Sequence, residues 1–218
     1  MCIEEIPWAT WLHRDAPYRD GYSRVIQWLL RKRTFTSIID FGCGAGIHVG
    51  MFAKAGKRAV GTDLCSYPCA NEQAQNDGYT LIQGSWTDLP GESFDAGWSH
   101  HCLEHARDAI GWLHEWGRVI KPGGFLCVGV PPYRERVLAG HITNGWNGAQ
   151  LVYLLVLAGW DCSTVNLWQY GNTLFAIAAR PAAMCITDHE HAIVDWSGLE
   201  HLLPEQCLTL DRRKILFG

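Results

Sequence analysis

Ser37-Ile38-Ile39-Asp40-Phe41-Gly42-Cys43-Gly44-Ala45-Gly46-Ile47-His48 decides how this chain folds. Its first five residues are a short, mostly apolar and β-branched run, the mark of a strand buried on both faces. Three glycines at alternate positions follow, and each gives the backbone access to positive φ. From His48 to Ala55 the apolar positions recur at helical spacing. Strand, glycine turn and helix make the first half of a βαβ unit, so the next strand is expected to run parallel to the first.

The chain on either side continues that alternation. Strands are predicted at Arg58 to Thr62, Thr80 to Gln83, Ala96 to Ser99 and Phe125 to Val130, and helices at Ala109 to Ile120 and Ala149 to Ala158. Lys121-Pro122-Gly123-Gly124 stops a helix and turns into the fifth strand, because Pro cannot continue the helix and Gly permits positive φ. Cys162 to Trp168 and Asn172 to Ala179, joined by Gln169-Tyr170-Gly171, read as an antiparallel pair. Before the first strand, Arg19 to Arg31 carries Tyr22, Val25, Ile26, Leu29 and Leu30 at helical spacing, which makes it a helix packed on the sheet.

The expected architecture is therefore a doubly wound α/β fold: a seven-stranded, mostly parallel sheet covered on both faces and closed by a C-terminal antiparallel hairpin. Residues 1–36 are expected as an N-terminal segment with its capping helix, 37–180 as the core, and 181–218 as a C-terminal extension anchored by Trp196, Leu199, Leu202 and Leu203.

Composition narrows the function. With 18% charged residues and a net charge of −4 over 218 residues, no global field holds a polyphosphate, so nucleic acid is not the expected partner. The runs Arg31-Lys32-Arg33 and Arg212-Arg213-Lys214 read as solvated surface. No secretory signal pattern opens the chain, and the apolar run Leu151 to Trp160 is too short for a bilayer, so no membrane and a cytoplasmic location are expected. Nine cysteines at irregular spacing point to reduced thiols. Neither the cluster His100, His101, Cys102, His105 nor the pair Cys65 and Cys69 has the spacing of a structural zinc site, so no metal is expected.

The glycine turn stands where a doubly wound sheet binds its ligand, beyond the carboxyl ends of the strands. A tight turn with no ligand would use the same glycines. Asp63 ends the second strand 23 residues beyond Asp40, where a carboxylate can accept hydrogen bonds from ribose hydroxyls. That acid serves a nicotinamide dinucleotide equally well. The glycine pattern separates the two: dinucleotide sites use Gly-x-Gly-x-x-Gly, whereas this loop reads Asp-x-Gly-x-Gly-x-Gly, and its leading carboxylate suits a cofactor with an amine and a sulfonium better than a pyrophosphate.

Asp40 to Gly46, Asp63, Phe94-Asp95 and Arg118-Val119-Ile120-Lys121-Pro122-Gly123-Gly124, taken in order, resemble the class I S-adenosylmethionine-dependent methyltransferases, over about Tyr18 to Arg180. The resemblance implies the Rossmann-like fold of that family and S-adenosylmethionine as cofactor. It implies that Gly42, Cys43, Gly44 and Gly46 line the methionine and ribose portion with Asp40 supporting the loop, that Asp63 holds the ribose, and that Leu64 flanks the adenine. Ser85 stands where many relatives carry an acid that contacts the adenine amine, so Ser85 itself or Asp88 is expected to make that contact. Trp86 is expected either over the adenine or in the core.

Ser99-His100-His101-Cys102-Leu103-Glu104-His105 follows the fourth strand, where the family places residues near the sulfonium and the acceptor. A hydroxyl acceptor gains from a base titrating near neutrality, which makes His101 and His100 candidates. His141, in the loop Gly140 to Asn147, is a further candidate and with His101 the foremost; the alternative is that it orders the loop while Asn144 or Asn147 caps the next helix. That loop resembles relatives associated with polysaccharide biosynthesis, so the expected acceptor is a small molecule, with a carbohydrate hydroxyl foremost. The alternatives are a small-molecule N-methyltransferase and a non-catalytic cofactor-binding partner subunit.

Overall fold

β1 (Ser37–Phe41) is buried at every residue, because strands flank it on both sides and helices cover both its faces. The computed structural model describes residues 18–65, 68–134, 140–185 and 202 of the chain. After helix α1 (Tyr18–Lys32) and β1, the chain runs through α2 (Ile47–Lys54), β2 (Arg58–Asp63), α3 (Pro68–Asp77), β3 (Thr80–Gln83), β4 (Phe94–His100) and α4 (Ala109–Val119). It ends in β5 (Ile120–Val130), α5 (Gly148–Leu157), β6 (Asp161–Tyr170) and β7 (Thr173–Ala179).

The sheet order is β3-β2-β1-β4-β5-β7-β6. The first five strands are parallel, and β7 is antiparallel to both β5 and β6. The order reverses between β1 and β4, and a cleft at that point is where ligands enter such sheets. The final turn is shorter than the sequence predicted. Tyr170 pairs with Thr173, leaving a two-residue loop in which Gly171 takes φ 55°, the glycine-first hairpin turn that matches strand twist.

Alternation along the strands divides the core into two layers. Ile39, Leu126, Val128, Val130, Leu174 and Ala176 face the α4 and α5 side, with Trp116 and Leu151 among their neighbours. Ile38, Ala96, Trp98, Cys127, Phe175 and Ile177 face the α1 and α2 side, with Val25, Leu29 and Phe52. No helix among the described residues is long and apolar enough to cross a membrane. The described cysteines that carry free thiols are Cys43, Cys65, Cys102, Cys127, Cys162 and Cys185.

Two polar anchors set the strand starts and ends. Asp95 accepts hydrogen bonds from Thr36 N, Thr36 Oγ1 and Ser37 N and pairs with Lys121 Nζ at 2.7 Å, tying β4 to the beginning of β1 and to the start of β5. That strand runs back to Ile120 through Lys121 to Gly124, the stretch the sequence suggested as a turn. At the far side Gly123 N donates to Arg180 O and Arg180 N to Gly124 O, while Arg180 Nε donates to Gly117 O. The segment after β7 then presses on α4 and α5: a side chain at Gly117 would run into Met184, and one at Gly159 into the backbone of Cys185. Most of the expected C-terminal extension, with Trp196, Leu199 and Leu203, lies outside the described residues, as do His13, His189, His191 and His201; Leu202 packs against the core.

Candidate cofactor and acceptor site

The turn after β1 has positive φ at all three glycines: 74° at Gly42, 52° at Gly44 and 76° at Gly46. They differ in what lies beside them. A Cβ at Gly42 would collide with Cys102, and one at Gly46 with Leu81, so these two let the turn pack against β3 and the segment after β4. A Cβ at Gly44 would meet nothing within 4 Å, so the tip of the turn opens onto free space. Thr62 O receives both Gly42 N and Cys43 N, and Asp63 Oδ2 receives Gly44 N at 2.8 Å while Oδ1 receives Cys65 N at 2.9 Å. The end of β2 therefore shapes the turn. A small solvent-open cleft lies there, lined by Cys43, Gly44, Asp63, Cys65, Leu81 and Gln83 among others.

Asp40 is buried behind this turn, and neither carboxylate oxygen has a hydrogen bond. Burial raises its pKa, and His48, with Nδ1 3.7 Å from Oδ2, partly offsets that. A carboxylate so placed lacks compensation unless a cationic group comes to it. The amine and sulfonium of S-adenosylmethionine are such groups, and the open tip at Gly44 gives a ligand backbone access, so the residues present fit that cofactor.

The predicted neighbours of the cofactor divide. Leu64 is exposed beside Asp63. Ser85 turns its Oγ to Thr87 N and Thr87 Oγ1, where it caps a single 3-10 turn. Ser99 is fully buried and donates to Phe41 O, which ties β4 to β1. Trp86 belongs to the core: its ring meets Phe41, Trp112 and Trp116 edge-on.

β4 delivers the histidines. His100 is buried between Trp98 and Phe175 with His48 and Tyr22 at its edges, and burial first, then the neighbouring His48 and His101, lowers its pKa to about 2. His101 holds a left-handed backbone, φ 56°, and its N–H donates to Gly129 O. A non-glycine residue kept there costs about 1–3 kcal/mol, and such strain gathers at functional sites. Its ring is fixed on both sides: Nε2 lies 2.8 Å from Thr173 Oγ1, and Nδ1 lies 3.4 Å from Glu104 Oε1. Burial lowers the His101 pKa to about 4, with His141, Arg134 and His105 adding to the effect, so it is not the near-neutral titrating group the sequence suggested but a ring that is neutral at pH 7 and able to accept a proton. Glu104 is wholly buried, and burial raises its pKa to about 7.

His141 sits in the loop before α5. Ile142 N and Thr143 N both donate to Glu104 O, which brings the His141 ring to 5.0 Å from that of His105. Asn147 caps α5 by accepting from Gln150 N, while Asn144 O instead receives Arg134 N. The sequence reading missed His48, Glu104 and Thr173. Glu104 lies inside the quoted stretch after β4, whereas Thr173 comes from β7 and has no local signal.

Residues 39–128 match the family model described as "Methyltransferase domain". A probable S-adenosylmethionine-dependent methyltransferase of Mycolicibacterium smegmatis is 26% identical over 190 residues, 83% of this chain and 74% of that protein. A ubiquinone biosynthesis O-methyltransferase of Cereibacter sphaeroides is 32% identical over 95 residues, 41% of this chain and 38% of that protein. The chain thus aligns with less than half the length of the second relative. Among solved structures, the 1,6-didemethyltoxoflavin-N1-methyltransferase of Burkholderia thailandensis, crystallised with 1,6-didemethyltoxoflavin and S-adenosylhomocysteine, superposes with a TM-score of 0.62 at 20% identity over 75% of this chain and 82% of that one.

Proposed function

We propose, from the premise that the chain belongs to the class I S-adenosylmethionine-dependent methyltransferases, that it methylates a hydroxyl oxygen of a small acceptor, with a sugar hydroxyl the first candidate. One observation carries the reading: a strained, buried histidine, His101, is clamped between a hydroxyl and a carboxylate at the end of β4, the strand next to the glycine turn.

Bound at the turn, S-adenosylmethionine supplies an electrophilic methyl group on a sulfonium sulfur. Gly44, Asp63 and the buried Asp40 would hold it. Methyl transfer is an in-line displacement, so the protein's first task is positioning. The second is the acceptor's proton. His101 would take it as the new carbon–oxygen bond forms and the carbon–sulfur bond breaks, the sulfonium leaving as a neutral thioether, and Glu104 beside Nδ1 would offset the charge that develops on the ring. Thr173 Oγ1 marks where a hydroxyl hydrogen-bonds to that ring. The net charge of −4 favours a small acceptor over a nucleic acid. A cytoplasmic location belongs to the same reading and is supported by nine irregularly spaced cysteines, a pattern of reducing compartments.

The test is a panel of sugars, phenols and small amines offered with isotopically methyl-labelled S-adenosylmethionine, products being read by mass and by the chemical shift of the new methyl group. An O-methyl product supports the reading. Preference for the amines moves the chain to N-methylation.

A further inference from the structure

We propose that Glu104, His105 and His141 form a binding site for a divalent transition-metal ion, Zn2+ being the simplest occupant. One ligand-capable atom from each residue lies within 4.8 Å of the others. Zinc takes nitrogen and carboxylate oxygen ligands at about 2.0–2.2 Å, which puts neighbouring donors about 3.4 Å apart in a tetrahedral site. The remaining approach is within reach of side-chain rotation, since His105 is exposed and His141 half-buried.

Three observations make this more than a chance cluster. First, Glu104 is completely buried, yet neither of its carboxylate oxygens has a hydrogen bond. An unbonded carboxylate taken out of water is costly unless a cation meets it. Oε1 faces His101 at 3.4 Å, which leaves the other oxygen for an ion. Second, His105 Nδ1 lies 2.7 Å from Gly140 O. A carbonyl only accepts, so Nδ1 carries the proton and Nε2 keeps its lone pair. That is how metal-bound imidazoles are usually oriented, with the outer N–H on a carbonyl or carboxylate. Third, the loop carrying His141 hangs from Glu104 itself, through Ile142 N at 2.7 Å and Thr143 N at 3.4 Å to Glu104 O. The residue giving the first ligand thereby positions the third.

Two imidazoles and one carboxylate are a borderline donor set, suited to Zn2+ and late first-row ions and poorly suited to Mg2+ or Ca2+, which prefer all-oxygen sites. Three protein ligands leave a coordination position open to water or another oxygen ligand. The proposal is independent of the acceptor class assigned above, since it concerns binding of the ion alone.

The experiment uses the full chain, stripped with chelator and desalted under reducing conditions, without cofactor or acceptor. Calorimetry with ZnCl2 should give one ion per chain, with MgCl2 binding at least 100-fold more weakly. His141→Ala and His105→Ala should each weaken Zn2+ at least tenfold, and Zn2+ should raise the melting temperature of the native protein but not of His141→Ala. Glu104→Gln should weaken it similarly; because Glu104 is buried, its circular dichroism is read alongside, and the two surface histidines decide the matter if it unfolds. Since the chain holds nine cysteines, Co2+ serves as an optical probe. A ligand-field spectrum without a thiolate charge-transfer band is expected. Absence of saturable Zn2+ binding, binding unchanged in both histidine variants, or a thiolate band overturns the proposal.

Discussion

Gly44 donates its backbone N–H to Asp63 Oδ2 at 2.8 Å, so the tip of the turn after β1 and the end of β2 are held as one unit. The acid expected to receive the ribose also shapes the loop that receives the rest of the cofactor. Substitution of Asp63 should therefore act twice. Asp63→Ala should weaken S-adenosylhomocysteine binding by about 1.5–3 kcal/mol, as for hydrogen bonds to a charged group, and should also lower the melting temperature of the free protein. Titration calorimetry with a thermal melt measures both; unchanged values in both would detach Asp63 from the site.

Gly42 and Gly44 share a backbone conformation but not an environment, so their alanine variants should separate. Positive φ costs a non-glycine residue about 1–2 kcal/mol at either position. Gly42→Ala adds a collision with Cys102 and should mainly destabilise the fold. Gly44→Ala meets no protein atom and should fold nearly as well while losing cofactor affinity. Melting temperature and S-adenosylhomocysteine affinity, compared across the pair, test this; equal losses of affinity with equal stabilities would refute it.

His101→Ala should lower kcat by about 10²–10⁴-fold, the usual cost of losing a general base, with cofactor affinity nearly intact. Thr173→Val removes the hydroxyl at Nε2 and should lower kcat less, and Thr173→Ser should restore it. A rise in acceptor KM alone, with kcat preserved in His101→Ala, would reduce His101 to a positioning residue.

Asp95 is expected to contribute to the pH dependence of stability. Lys121 and the Thr36 and Ser37 donors outweigh its partial burial and hold its pKa well below the ordinary value of 3.8. A carboxyl whose pKa is depressed in the folded state contributes its full stabilisation above the unfolded value and loses it as pH falls through the folded one. Asp95→Asn should thus be less stable than the native protein at neutral pH, with the difference shrinking below about pH 4. Chemical denaturation at pH 7 and pH 3 checks the sign; a gap that widens in acid would contradict it.

The fold was legible because each strand advertises itself locally. β1 and β3 have the bounds their apolar runs predict, and α4 and α5 fall within one residue of their periodic segments. β4 begins two residues earlier than its apolar core because Asp95, polar and unpromising for a strand, is held there by Thr36, Ser37 and Lys121. The glycine turn and Asp63 were legible for the same local reason.

The histidine site was harder to read. The sequence separates His141 from Glu104 by 37 residues and Thr173 from His101 by 72, so no spacing rule joins them. They meet because a loop folds back onto the end of β4 and β7 inserts beside β5. Trp86 and Ser99 show how a motif position can serve the fold. Each stands where the family motif places a ligand contact, and each is taken up by packing or by a strand-to-strand hydrogen bond.

Arg180 closes the sheet in a way that moves the end of the folding unit. Its backbone and guanidinium bind Gly124, Gly123 and Gly117, and also the carbonyls of Pro181 and Ala182 just beyond it. Met184 and Cys185 then occupy the space that side chains at Gly117 and Gly159 would need. A chain cut after the last strand would leave two glycine-lined hollows against α4 and α5 open to water. The stretch through residue 185 serves as the molecule's own plug.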